Sequence, residues 1–333
     1  MIVKDEEKGL ERAILSCKDF VDQILISVDS ASTDKTLEIA QKYANFVTTH
    51  QWENDFAKTR NDLQEHVKTK WSLMLDGHEY VREYSNLEKA LERDVEGLYV
   101  KIEMDDGFTF FYPRIYKSSV RYKMAVHNYP DCKTTHPFPD FVIVHDRLHL
   151  QDEEAIKERA EQRKEMVFSI LQENLKKNKK DSRSLFYLAQ QYRLTSNWRD
   201  AEKCYRRYLK YSDKKEERWL ACYYLGMCYS LMNKLKHAVK FFKLADKELP
   251  GRWEIQKKIG SILMMLGKFK EAANYLVESL GEPKQLYMFN PEPRNISQTW
   301  FFISQCFYAL KKYEEAKVAL RQALASQGTT GWT

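Results

Sequence analysis

Asp76-Gly77-His78-Glu79 follows the apolar run Trp71-Ser72-Leu73-Met74-Leu75 without a break. Residues two apart in a turn that leaves a strand can both project toward one ion. A carboxylate and an imidazole so placed suit a divalent cation, which acts as a Lewis acid and neutralises adjacent phosphates. An Asp-x-His triplet alone is common, and its bland reading is a capped surface turn; the preceding strand argues for more. A second carboxylate, Asp29, ends the run Gln23-Ile24-Leu25-Ile26-Ser27-Val28 and precedes the polar turn Ser30-Ala31-Ser32-Thr33-Asp34. There it can accept hydrogen bonds from a ribose or a base amide, while Thr33 or Asp34 caps the helix that follows.

Holding both carboxylates requires a particular scaffold. Residues 1–150 alternate strand-like and helix-like segments: Met1-Ile2-Val3, a helical pattern to Cys17, the run ending at Asp29, a helix with Leu37, Ile39, Ala40 and Tyr43, then Phe46-Val47-Thr48-Thr49. Strands separated by helices predict βαβ units and a mainly parallel sheet, Rossmann-like in type. Ligands of such sheets sit beyond the carboxyl ends of the strands, where Asp29 and Asp76 both stand.

From about Asp152 to Ser326 nothing reads as a strand. Four units share one pattern: a small residue, a large one three later, Ala twelve later and a large one sixteen later. The units are Ala189, Tyr192, Ala201, Tyr205; Gly226, Tyr229, Ala238, Phe242; Gly260, Leu263, Ala272, Leu276; and Ser304, Phe307, Ala316, Leu320. The pattern resembles the tetratricopeptide repeat, a pair of antiparallel helices whose small residues mark the crossing. The steps between units are 37, 34 and 44 residues, so the last carries an insertion, assigned to the loop Glu282–Asn295 with Pro291 and Pro293. The expected division is residues 1–150, a connecting helix over 151–181, and the repeats over 182–333.

The chain of 333 residues is 43% hydrophobic and 31% charged, with a formal net charge of +6. That bias tolerates phosphate-bearing ligands, and Lys and Arg interleave with Glu and Asp, which argues against nucleic acid as a partner. The six cysteines lack a C-x-x-C pair, which excludes a zinc ribbon or a secreted disulfide framework. No run approaches the length of a membrane span, and no leader-like apolar segment opens the chain. The expectation is a reduced, soluble, cytoplasmic protein.

Met1-Ile2-Val3-Lys4-Asp5-Glu6-Glu7, Val21-Asp22-Gln23-Ile24, Asp29 to Thr36, Trp52 with Asp55-Phe56-Ala57 and Arg60-Asn61, and Leu75 to Glu79 occur in that order. Together they resemble glycosyltransferase family 2, in the branch with C-terminal tetratricopeptide repeats. The resemblance implies a GT-A fold, an α/β domain using a nucleotide-diphosphate sugar with Mn²⁺ or Mg²⁺. It implies that Asp29 contacts the nucleotide, Asp76 lies at the metal and ribose, Arg60 approaches the diphosphate or supports the acidic motif, and Asp5 and Glu6 rim the pocket.

The chain departs from the family in places. Asp-x-Asp is usual where this chain has Asp76-x-His78, and histidine favours Mn²⁺ over Mg²⁺. Pro113 to Tyr116 and Tyr122 to Asn128 resemble the segment that approaches the acceptor, where His-Glu is common and a carboxylate acts as base for an inverting displacement. Asn128 cannot accept a proton, so His127 or Asp131 takes that role, or the acceptor is already nucleophilic. His145, ending the strand Val142-Ile143-Val144, is the candidate third metal ligand, against the reading of a structural hydrogen-bonder. Arg159 and Arg163 on the next helix read as a solvated face rather than a diphosphate clamp.

A metal-dependent glycosyltransferase is therefore expected, with a peptide, protein or glycan acceptor. The repeats would receive a polypeptide acceptor, or serve as a homodimer surface. The competing readings are a degenerate transferase kept as a binding scaffold, and a transferase acting on nucleic-acid bases.

Overall fold

The computed structural model describes residues 1–105, 107–146, 153–212, 214–281, 294–327 and 330–331. The chain divides into two compact units between Val167 and Phe168.

The first unit contains β1 (Ile2–Val3), α1 (Leu10–Leu15), β2 (Leu25–Asp29), α2 (Thr36–Tyr43), β3 (Phe46–His50), α3 (Phe56–Gln64), β4 (Trp71–Leu73), β5 (Glu79–Tyr84), α4 (Leu87–Leu91), β6 (Gly97–Met104), β7 (Thr109–Lys117), β8 (Tyr122–Lys123), β9 (Tyr129–Pro130) and β10 (Thr135–His145). Strands β1, β2 and β3 pair in parallel, with Asp29 opposite His50 at the shared carboxyl end. The parallel arrangement expected from the sequence is this part. The second sheet, in the order β4-β7-β6-β10-β5, is mixed, and only β6 and β10 run parallel in it. The reason is local: β6 and β7 are joined by a short turn with Gly107 at φ 79°, and a tight turn forces antiparallel pairing. Leu98, Val100, Ile102, Ile115, Phe141 and Ile143 form the core on this sheet, and Leu10, Ile14, Ile26, Val28 and Ala40 the core on the other.

Two loops near the strand ends are stitched reciprocally. The amides of Asp5, Glu6 and Glu7 donate to Ser32 Oγ, Thr36 Oγ1 and Asp34 Oδ2. In return, the amides of Thr33 and Lys35 donate to Asp5 Oδ1 and Glu7 Oε2, and Asp34 Oδ1 receives the first amide of α2, that of Thr36. The acidic residues of the first loop thus satisfy the donors that a helix start leaves open.

A 25-residue helix, α5 (Glu153–Lys177), spans the division between the units. The described residues of the second unit then form four helix pairs: α6 (Ser182–Leu194) with α7 (Trp198–Tyr211), α8 (Lys215–Leu231) with α9 (Leu235–Glu248), α10 (Trp253–Met265) with α11 (Phe269–Glu278), and α12 (Ile296–Ala309) with α13 (Tyr313–Ala325). A two-residue ladder joins β11 (Arg294–Asn295) to β12 (Thr330–Gly331). The small residues stand at the helix crossings. A Cβ on Gly226 would lie 3.0 Å from the Phe242 ring, and one on Gly260 would lie 2.6 Å from Leu276.

Each pair turns through a left-handed residue seven places after its small one: Ser196, Asn233, Gly267 and Lys311. The next amide in each case donates back into the first helix, to Tyr192, Tyr229, Leu263 and Phe307 carbonyls at 2.8–2.9 Å. This closes each helix as a Schellman turn. The insertion assigned to Glu282–Asn295 lies, up to Pro293, outside the described residues. Among the described residues no helix is long and apolar enough to cross a membrane.

Candidate active site

Asp76 follows β4 and is the centre of a buried ionic cluster. Arg60, on α3, donates from Nη2 to Asp76 Oδ1 at 2.9 Å, and Arg114, on β7, places Nη2 3.8 Å from Oδ2. Burial opposes the charge on Asp76, yet Arg60, then Arg114, His78 and His145 outweigh it and hold the carboxyl far below its usual range. Asp76 is therefore an anion at any physiological pH. Its amide donates to Glu79 Oε2 at 2.9 Å, so the turn closes on its own glutamate.

Glu79 opens β5 with its side chain fully buried, and its Oε1 receives Arg114 Nη2 at 2.6 Å. His145 Nδ1 lies 3.4 Å from the same oxygen, and His78 Nδ1 lies 3.1 Å from Glu6 Oε1. The two imidazoles meet edge to face, with centroids 4.4 Å apart. Gly77 makes room for this: a Cβ there would sit 2.8 Å from Glu6 Cγ. The main chain of His78 is tied to the end of β10, since the Asp146 amide donates to its carbonyl. Arg12 on α1 then holds Asp146 at 2.6 Å.

Helix α3 also secures the segment after β7. Asp55 caps α3, accepting the Lys58 amide at 2.8 Å, and the Phe56 amide donates to the Ala125 carbonyl. Asn61 exchanges two hydrogen bonds with the backbone of Tyr122, and Arg60 Nη1 donates to Asn128 Oδ1 at 2.5 Å. The Tyr112 hydroxyl donates to the Asn128 carbonyl. Met124 and His127 adopt left-handed backbone, with φ of 73° and 49°. Two such residues within four positions store strain beside the cluster.

Glu6, Arg60, Asp76, His78 and His145 are thus brought together. Asp29 stands at the end of β2, 4% exposed, with Oδ1 accepting the Ala31 amide and Oδ2 3.6 Å from Lys4 Nζ. Its cross-strand neighbour His50 meets Ser27 Oγ at 2.8 Å, and burial lowers the pKa of that imidazole. Asp5 turns its carboxylate into the Thr33 loop. Asp131 is in an ion pair with Lys123 at 2.5 Å, on the β8–β9 hairpin. Arg163 lies over the Phe56 ring, and the Arg159 side chain lies outside the described residues.

A divalent ion can be tested against these donors. Both histidines present Nδ1 to a carboxylate, the arrangement that leaves Nε2 as the ligating atom in metal sites. The donor types fit such an ion. Among the described residues no three of these side chains are gathered around one point, and both Asp76 oxygens face guanidinium groups.

Glu79, quoted in the run Asp76 to Glu79, and Arg114, quoted in Pro113 to Tyr116, were given no role of their own from the sequence. Beyond those segments, the signal for each is a charged residue in a strand, Arg114 within Thr109–Lys117 and Glu79 opening β5.

The geometry defines an α/β domain with buried carboxylates and guanidinium groups at its strand ends, followed by stacked helix pairs. Residues 1–149 match the family model for glycosyl transferase family 2, and residues 297–329 match that for the tetratricopeptide repeat. An uncharacterized glycosyltransferase of Rickettsia bellii is 32% identical over 110 residues, covering 32% of this chain and 33% of that protein. A TPR repeat-containing protein of Synechococcus elongatus is 35% identical over 79 residues, covering 24% of this chain and 19% of that protein. The chain therefore spans a third or less of these curated relatives' lengths. Among solved structures, MamA aligns at 15% identity and a TM-score of 0.44, over 51% of this chain and 92% of that chain. The TPR protein YrrB aligns at 13% identity and a TM-score of 0.44, over 51% and 81%.

Proposed function

We propose that the chain transfers a sugar from a nucleoside-diphosphate donor to an acceptor, with residues 1–150 as the catalytic part. One observation carries the reading: an obligate anion, Asp76, sits beyond a strand end between two buried guanidinium groups. Asp76 accepts ribose hydroxyls, and Asp29 accepts from the ribose or base. Asp5 supports this mouth through the Thr33 loop, and Glu6 through His78. Arg60 and Arg114 supply positive charge toward the diphosphate as it departs.

Asp76, His78 and His145 are the side chains whose donor types suit a divalent ion, Mn²⁺ or Mg²⁺, which would add Lewis-acid neutralisation of that diphosphate were they drawn to one point; as they stand, Arg60 and Arg114 supply the positive charge. For the proton of the acceptor in an inverting displacement, His127 is the better candidate. It adjoins Asn128, which touches Arg60, whereas Asp131 is engaged by Lys123. We take residues 151–181, which contain α5, as the connection to the repeats of 182–333, which we assign to protein binding, whether a polypeptide acceptor or a second copy.

The test is a thermal-shift screen of nucleotide sugars with and without Mn²⁺, since a specific ligand raises the melting temperature by mass action. Stabilisation by a nucleotide sugar that vanishes in Asp76→Ala supports the reading. No stabilisation by any donor, with Asp76→Ala unchanged from wild type, leaves a scaffold.

A further inference from the structure

Outer positions in a repeat domain are equivalent from unit to unit, so a difference between units is informative. Taking each small crossing residue as origin, the exposed positions 10, 14, 17 and 21 later hold Arg199, Lys203, Arg206 and Lys210 on α7. On α9 they hold Lys236, Lys240, Lys243 and Lys247. The first three of these positions are Lys270, Asn274 and Val277 on α11, and Glu314, Val318 and Arg321 on α13. The cationic face therefore belongs to the first two repeats and ends there. The inner faces of the same helices are apolar: Ala201, Cys204, Tyr205 and Tyr208 on α7, and Ala238, Phe241, Phe242 and Ala245 on α9. Both helices pack against α8.

On α7, Lys203 and Arg206 are balanced by Asp200 and Glu202. On α9 there is no such balance. Among the described residues, no carboxylate pairs with Lys236, Lys240, Lys243 or Lys247, and Lys243 rests over the Tyr275 ring. These four ammonium groups line one side of the helix over about 16 Å. The sequence-wide mixture of charges is thus sorted in space, which counting charges along the chain does not reveal.

We infer that the outer face of α9 is a contact surface for an anionic lipid bilayer. Lysine is the reason for choosing that partner. Its ammonium is a flexible point charge, suited to a diffuse field of phosphates, whereas bidentate recognition of a single carboxylate, phosphate or base edge favours the arginine fork. Phe241 and Phe242 face inward, so neither stands among the lysines to stack on bases. Attachment of this kind is peripheral and needs no spanning helix.

The experiment is co-sedimentation of the full chain with phosphatidylcholine vesicles, with and without phosphatidylserine, at about 0.1 M salt, where the screening length is ~10 Å. Binding should require phosphatidylserine and weaken as salt rises. Each lysine near such a surface contributes about fivefold in partition, so Lys240→Gln with Lys243→Gln should lower the coefficient by about 25-fold. The fourfold Lys→Glu variant should abolish binding, and Arg321→Glu on α13 should leave it intact. Equal sedimentation with both vesicles, or an unchanged coefficient in the Gln pair, overturns the inference. So does tight binding of duplex DNA or polyglutamate in the same buffer without vesicle binding. The Gln pair is exposed and charge-neutral, so it decides the matter even where the fourfold variant does not fold.

Discussion

Arg60 spends its two terminal nitrogens on different partners: Nη2 reaches Asp76 at 2.9 Å and Nη1 reaches Asn128 at 2.5 Å. One guanidinium thus couples the turn after β4 to the strained segment after β8. Removing it leaves Asp76 with only the longer contact to Arg114 at 3.8 Å. Breaking a buried pair costs about 3–5 kcal/mol, and the 28% exposure of the Asp76 side chain reduces this to about 2–3 kcal/mol for Arg60→Ala. The pH dependence follows from the same contact. The folded carboxyl sits below its unfolded value near 3.8, so its stabilisation is complete above that pH and is lost as pH falls toward the folded value. Melting curves of Arg60→Ala should show a shallower loss below pH 3.8 than wild type; equal slopes would mean that Arg60 is not what holds Asp76 ionised.

Asn128 is neutral where a carboxylate would neutralise Arg60. Asn128→Asp should keep the fold, because the acceptor oxygen is preserved, and should strengthen the contact to Arg60. Under the proposed function, that new charge competes with the donor diphosphate. Calorimetry of nucleotide-sugar binding should then give a dissociation constant at least tenfold weaker, about 1.4 kcal/mol. Undiminished affinity would remove Arg60 from the diphosphate site.

Gly77 is required by close approach rather than by a special turn. A methyl group there meets Glu6 Cγ at 2.8 Å, Glu6 Cβ at 2.9 Å and Val3 Cγ1 at 3.1 Å. These are near-backbone atoms with little freedom to yield. Gly77→Ala should cost about 1–3 kcal/mol by overpacking and should displace Glu6 from His78. Denaturant midpoints measure the first effect, and the His78 ring proton shifts measure the second.

What could be read from the sequence was what repeats along the chain or ends a strand. Asp29 and Asp76 announce themselves because a run of apolar residues stops at each. The four helix pairs are legible because Gly226 and Gly260 recur with Phe242 and Leu276 sixteen residues on, the same atoms that meet in space. Arg114 was legible only as part of the segment Pro113 to Tyr116, with nothing to place it beside Asp76. It joins the cluster only because β4 and β7 pair with Leu73 opposite Ile115 and the Met74 amide bonded to the Arg114 carbonyl. Register between strands some forty residues apart is a property of packing. The antiparallel half of the second sheet escaped for a related reason, since the alternation of strand and helix was traced only as far as β4. Asn61, quoted for its place in a motif, does its observed work by bonding the backbone of Tyr122.

The repeat pattern itself makes a sharper forecast, because one position occurs four times in different surroundings. Sixteen residues after the small residue, Tyr205, Phe242 and Leu276 are wholly buried, whereas Leu320 in the last pair is 42% exposed. Leu276 fills the crossing against Gly260, so Leu276→Ala opens a cavity that the neighbouring helices cannot close. It should cost about 2–5 kcal/mol. Leu320→Ala removes the same atoms from a site half open to water, beside exposed Phe301, Tyr308 and Tyr313, and should change stability by less than about 1 kcal/mol. Paired urea titrations of the two variants compare one chemical change at equivalent positions. A Leu320→Ala loss as large as that of Leu276→Ala would mean that the last pair is covered in solution.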